Sequence, residues 1–250
     1  MRFIATADWQ LGMTAHFLDD AARARFHQAR LDAVVEIGRI AAQRRADFVV
    51  VGGDVFESNQ LDRGILLRAF EALRFCPVPV VLVPGNHDPL DASSIYRSQA
   101  FSDRCPSHVT VAQDSSPISI VPGTEVVAAP WFSKRPHTDL VASACAGLEP
   151  PAGGMTRIVV GHGAVSSLNP DRESLAAIDD AALAARIREG LLHFAVLGDR
   201  HSVTEVAPGI WYPGAPEVTD RRETAPGNIL LVEITHGIPE VEVIRTGRWS

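Results

Sequence analysis

The sequence predicts an α/β fold in which helices cover a set of parallel strands and a second sheet packs on the first. Three observations predict it. Strand-like apolar runs alternate with helical patterns through the first half, the second half breaks into short strand-like pieces with turn signals, and apolar runs repeatedly end in a small residue followed by a polar one. Alternating strand and helix favours parallel pairing, because returning the chain to start a parallel neighbour takes a crossover that is usually a helix.

The elements follow in chain order. Residues 3–7 are strand-like, and residues 20–45 are rich in Ala and Arg with apolar side chains at helical spacing. Residues 48–51 form a continuous apolar run, the pattern of a strand buried on both faces. A helical stretch at about 62–75 precedes another buried-type strand at 78–83. From about residue 108 the texture changes, and residues 118–121, 125–128, 157–160 and 194–197 read as short strands. Residues 228–234 and 241–244 end the chain as strands, the second with clear polar–apolar alternation. The Pro- and Gly-rich stretch 148–154 reads as a loop, and no internal repeat divides the chain, so residues 1–250 are expected to form one domain.

Composition narrows the functional classes. With 46% hydrophobic and 21% charged residues in 250, the chain can bury a core and lies far from the disordered class. A formal charge of -7 argues against a broad electrostatic grip on nucleic acid. It leaves room for a local arginine patch, and bound cations would place positive charge where a phosphate sits. Cys76, Cys105 and Cys145 are odd in number and lack a Cys-x-x-Cys pair, so they are expected to be reduced and structural. The first eight residues hold only a short apolar run, too short for a secretory signal or a membrane span. A cytoplasmic protein without a membrane partner is the expectation.

The chemistry is concentrated at strand ends. Five apolar runs lead through Gly or Ala to Asp8, to Asp54, to Asn86-His87-Asp88, to His162 and to Asp199-Arg200-His201. Ligands of open α/β sheets bind outside the carboxyl ends of strands, where such loops converge. One glycine–aspartate turn is ordinary punctuation. Five together, with three histidines among them, point to a shared site. Oxygen donors mixed with imidazole suit divalent manganese, iron or zinc, and a carboxylate such as Asp54 can bridge two ions. Two such ions polarise a phosphoryl group and lower the pKa of water, which is the chemistry of phosphate-ester hydrolysis.

In order, Asp8-Trp9-Gln10, Gly53-Asp54, Gly85-Asn86-His87-Asp88, Gly161-His162 and Gly198-Asp199-Arg200-His201 resemble the five motifs of the calcineurin-like metallophosphoesterases, over nearly the whole chain. Within that superfamily, residues 6–12, 47–56, 129–132 and 212–216 are most similar to the SbcD-type DNA repair nucleases. The resemblance implies a four-layer αββα sandwich with two packed mixed sheets. It implies one metal held by Asp8, Gln10, Asp54 and His201, and another by Asp54, Asn86, His162 and Asp199. His87 matches the histidine that contacts the phosphate and protonates the leaving oxygen, and Asp88 would orient it. Arg200, between two ligand positions, is the arginine expected to touch substrate.

Two positions depart from the family pattern, Gln10 and Asp199, where the family carries histidines. A neutral amide binds transition metals more weakly than imidazole, and a hard carboxylate shifts preference toward manganese or magnesium. One or two ions, manganese first, with magnesium, iron or zinc as alternatives, are therefore expected. The resemblance makes a DNA exonuclease in repair the leading function, with a coiled-coil ATPase of the SbcC type as a partner whose stable association is doubtful. The acidic charge favours a rival, a phosphodiesterase for small substrates such as cyclic nucleotides. A non-catalytic binding module with an eroded metal site is the third reading. Elsewhere, Trp9 and Trp131 are expected in the core, and Arg23, Arg25 and Arg30 on a solvated helix face. His16, His27, His108, His137, His193 and His236 lie outside the motifs.

Overall fold

The computed structural model describes residues 1–15, 18–171, 173–220 and 223–249, so His16 lies outside the described residues. Strands β1 (Arg2–Thr6), β2 (Phe48–Gly52), β3 (Val80–Val83) and β4 (Val109–Val111) run parallel. With β11 (Asn228–Thr235) and β12 (Ile238–Arg245) they make a six-stranded mixed sheet ordered β12-β11-β1-β2-β3-β4. The second sheet is ordered β5-β6-β7-β8-β10-β9, from β5 (Ile118–Val121), β6 (Thr124–Ala128), β7 (Thr156–His162), β8 (Phe194–Gly198), β9 (Thr204–Ala207) and β10 (Ile210–Tyr212). The two packed mixed sheets anticipated from the sequence are present.

The apolar runs explain the layering, because successive side chains of a strand point to opposite faces. Phe48 and Val50 of β2 pack between the sheets against Ile158, Val160, Phe194 and Val196, while Val49 and Val51 face outward. The outward face is covered by α1 (Asp20–Gln43) and α2 (Arg63–Leu73) through Leu31, Val34, Ile37, Leu66 and Phe70. On the other sheet Val159, Ala195 and Leu197 meet α4 (Leu140–Ala144) and α5 (Asp180–Arg188). The order is thus helix, sheet, sheet, helix. Phe3 joins the sheets, stacking on Phe48 at 5.1 Å and meeting Phe194 edge-on at 5.8 Å. No helix among the described residues is long and apolar enough to cross a membrane.

At their carboxyl ends the sheets approach until backbone touches backbone. A Cβ on Gly198 would land on the Gly52 carbonyl, and one on Gly52 would sit 3.2 Å from the Gly198 nitrogen. Glycine at these ends is what lets loops from both sheets meet.

The short elements β4, β9, β10, α4 and α5 and the single turns η1 (Ile95–Arg97) and α3 (Gln99–Ser102) were not individually legible in the sequence. Residues 148–154 are a loop, as expected. All three cysteines are free.

Candidate metal centre

Each expected ligand lies at or just beyond a strand's carboxyl end. β1 leads to Asp8 and Gln10, β2 to Asp54, β3 to Asn86 and His87, β7 ends on His162, and β8 leads to Asp199, Arg200 and His201. The first two loops are laced together: Asp8 N–H donates to the Gly53 carbonyl at 3.1 Å, Gln10 N–H to that of Asp54 at 2.8 Å, and Leu11 N–H to that of Val55 at 2.9 Å. Asp8, Gln10, Asp54 and Asp199 hold φ of 53°, 44°, 50° and 97°. Left-handed backbone at non-glycine residues costs on the order of 1–3 kcal/mol each and survives only where surrounding structure enforces it. Among the described residues Arg45 and His236 share this backbone outside the site, and the other four are expected ligand positions.

Among histidine, cysteine and acidic side chains of the described residues, Asp8, Asp54 and His162 place ligand atoms within 4.8 Å of one another, and all three are buried. His162 Nδ1 donates to the Gly52 carbonyl at 2.9 Å, leaving Nε2 as a lone pair in the neutral ring. Asn86 Oδ1 lies 2.7 Å from that nitrogen and Asp54 Oδ2 lies 3.4 Å from it. One imidazole, an amide oxygen and two carboxylates therefore converge, with the His162 proton the one positive charge among them in the metal-free site. Acceptors crowded in this way repel unless a cation joins them, and the donor set fits a divalent metal.

The other side of the site is built around His201. Glu223 accepts from its Nδ1 at 2.9 Å, and the Thr219 hydroxyl bonds the same carboxylate. Such a carboxylate fixes the tautomer so that Nε2 faces the site, where the Gln10 amide nitrogen stands 3.3 Å away. Asp199 N–H donates to both Asp8 oxygens at 3.0 and 3.2 Å. Its carboxylate is exposed at the rim, 3.9 Å from His162 Nε2.

The electrostatics report the same crowding. Burial, helped by the Asp54 charge, pushes Asp8 up to about 7. Burial alone would push His162 down, but Asp54, Asp8 and Asp199 outweigh it and hold its pKa well above the ordinary value. Burial likewise opposes the charge on Asp54, yet His162 and His87 carry its pKa below the usual range. A buried acid that retains its proton beside a histidine that gains one marks a site short of positive charge.

His87 is partly exposed, its Nδ1 donating to the Glu57 carbonyl at 3.0 Å and its Nε2 3.9 Å from Asp54 Oδ2. The expectation that Asp88 orients His87 is corrected. Fully buried Asp88 accepts instead from Gly85 N–H at 2.8 Å, Phe56 N–H at 3.0 Å and the Tyr96 hydroxyl at 2.6 Å, so it fixes the loop that carries His87. Arg200 is exposed and donates to Thr204 Oγ1 at 2.8 Å. It lines an open cleft of about 550 Å³ together with His87, Asp199, His201 and Glu57.

A second correction concerns Arg30. It is 2% exposed, not solvated, and its guanidinium stands 4.6 Å above the Phe26 ring. Arg25 is exposed and Arg23 half-buried in an ion pair with Asp20. Trp9 is core, its Nε1 donating to Thr6 Oγ1 at 3.0 Å. Trp131 is half-buried, and its Nε1 donates to the His162 carbonyl at 2.8 Å. Tyr212, from another SbcD-like segment, donates to the Gly163 carbonyl at 2.8 Å and so pins the turn after His162. Sequence reasoning missed Glu223, Thr219, Glu57 and Tyr96. None follows a strand end, and no spacing signal ties them to the ligands they support.

The model of the calcineurin-like phosphoesterase family matches residues 1–203. A curated relative, the SbcD component of the nuclease SbcCD from Rhodobacter capsulatus, is 34% identical over 94 residues, which is 36% of this chain. That match covers 22% of the relative's length. Among solved structures, TT1561 of Thermus thermophilus aligns with a TM-score of 0.61 at 11% identity over 98% of both chains. A dimetal phosphatase from Danio rerio gives 0.58 at 14% identity over 98% of both, and the purple acid phosphatase PPD1 of yellow lupin 0.54 at 11% identity over 98% of this chain and 51% of that one. At these identities the structures show the shared fold.

Proposed function

Because this chain belongs to the calcineurin-like phosphoesterase family and is a metal-dependent phosphoesterase, we propose that it hydrolyses phosphodiester bonds, with DNA as its substrate in repair. The observation that carries the reading is the buried convergence of Asp8, Asp54, Asn86 and His162 beside partly exposed His87 in an open cleft. Asp8, Gln10, Asp54, Asn86, His162, Asp199 and His201 would hold one or two ions, manganese first. When bound, the metal supplies Lewis-acid polarisation of the phosphoryl group.

The chain's own groups do the rest. His87, with Nδ1 tied to the Glu57 carbonyl, turns Nε2 toward the cleft, where its protonated form hands a proton to the leaving oxygen. Arg200 offers a forked donor to a non-bridging phosphate oxygen at the rim. DNA is favoured by the SbcCD nuclease relative and by the SbcD-like segments, two of which brace the His162 turn through Trp131 and Tyr212. A cytoplasmic location belongs to the same reading, while stable association with a coiled-coil ATPase stays doubtful. The charge of -7 favours the rival, a small diester such as a cyclic nucleotide.

The test is hydrolysis of bis-p-nitrophenyl phosphate and of single- and double-stranded DNA with manganese. Asp54→Asn is expected to abolish both activities, and His87→Ala to lower kcat about 10²–10⁴-fold. Equal activity in the controls would end the enzymatic reading, and small-diester activity without DNA cleavage would end the nuclease reading.

A further inference from the structure

Arg30 is a buried arginine on α1 whose two terminal nitrogens reach different loops. Nη1 donates to the Trp9 carbonyl at 3.0 Å and Nη2 to the Val218 carbonyl at 2.9 Å. Trp9 lies between Asp8 and Gln10, both held in left-handed backbone, so its carbonyl direction fixes how that strained turn presents them. Val218 immediately precedes Thr219, which bonds Glu223, the carboxylate that holds His201 Nδ1. One guanidinium thus joins the loop carrying Asp8 and Gln10 to the loop that orients His201.

Its surroundings suit this work better than a purely structural charge. Phe26 packs beneath the guanidinium, and buried Glu217, which attracts it, spends its oxygens on Val218, Arg248 and Trp249 N–H groups. A buried guanidinium costs several kcal/mol unless its field and hydrogen bonds are used, and apolar residues could have packed α1 against the loops. A planar fork is the side chain that can serve two carbonyls in fixed relative positions.

We propose that Arg30 is a positioning residue that sets the distance between the Asp8–Gln10 turn and His201, and with it the affinity of the metal position those residues share. The proposal rests on the metal-site reading above, and Mn²⁺ binding separates their failures.

Mn²⁺ alone is titrated into the metal-free chain by calorimetry and by electron paramagnetic resonance, for wild type, Arg30→Met, Arg30→Lys and the exposed helix control Arg25→Lys. Partners that orient ligands typically govern metal affinity by about 10–100-fold. Arg30→Met is expected to weaken one class of bound Mn²⁺ by that factor while the class held by Asn86 and His162 keeps wild-type affinity. Arg30→Lys, able to reach one carbonyl, lies between, and it decides the matter should Arg30→Met fold poorly. His201→Ala should weaken the same class. Wild-type affinity in both Arg30 variants, or equal weakening of both classes, overturns the positioning role while leaving the phosphoesterase reading intact. No Mn²⁺ bound by the wild type overturns both.

Discussion

Stripped of metal, the site should make the protein more stable in mild acid than in mild base. Asp8 is fully buried, and its pKa stands at about 7 against 3.8. The fold disfavours its charged form, so the cost is absent below the unfolded value and present in full above the folded one. Between about pH 5.5 and about pH 8 the proton it retains amounts to about 2 kcal/mol. His162 and His201, raised by neighbouring carboxylates against the pull of burial, contribute stability that is likewise lost as pH rises through their folded values. Asp54 and Glu223 are lowered, so what they contribute is lost only in stronger acid, outside this window. His193, lowered by burial, opposes the trend. Urea unfolding in EDTA reads the difference directly. The wild type should lose stability from about pH 5.5 to about pH 8, and Asp8→Asn should flatten that slope by about 2 kcal/mol. Saturating Mn²⁺ should reverse the slope, because the ion displaces the protons. Metal-free stability that rises with pH, or a slope unchanged in Asp8→Asn, would refute the picture of acids short of a cation.

Three further outcomes test the geometry. Gly53 has φ of 89° and a Cβ there would strike the His162 ring, so Gly53→Ala should cost about 3 kcal/mol or more in unfolding experiments and abolish Mn²⁺ binding. Glu223→Gln removes the carboxylate that fixes the His201 tautomer, and Mn²⁺ titration should show about 10–100-fold weaker binding at one position, the other unchanged. Gln10→His replaces a neutral amide with imidazole next to His201, so elemental analysis should find more zinc or iron retained through purification than in wild type; no gain would exclude Gln10 as the weak ligand.

What could be read in the sequence, and what could not, divides along a physical line. Strands buried on both faces announce themselves as unbroken apolar runs, so β1, β2, β3, β7 and β8 and the residues at their ends were legible, down to Asp8, Asp54, Asn86, His87, His162, Asp199 and His201. Edge and surface elements carry no such mark. β9 and β10 hold four and three residues, and α5 buries Leu183 alone. Arg30 reads as one more arginine on a helix bearing Arg23 and Arg25, because periodicity shows a face but not what lies against it. The loop after β1, through Trp9, and the loop carrying Val218 close over that position and make it interior.

The supporting residues are illegible for a related reason, and they bear on what the two departures from the family pattern mean. Had Gln10 and Asp199 marked a scaffold losing its chemistry, their surroundings should have relaxed. Both keep left-handed backbone, Gln10 N–H still bonds the Asp54 carbonyl, and Asp199 N–H still bonds the Asp8 carboxylate. Glu223 and Thr219 still grip His201, and the Glu57 carbonyl still turns His87 toward the cleft. Strain of this kind persists only while the packing around it enforces it, and a binding module without a metal has no use for four strained residues in three acceptor-rich turns at one place. The contacts around Gln10 and Asp199 are thus built rather than lost, which fits the proposal that the two substitutions retune which ion binds and how tightly.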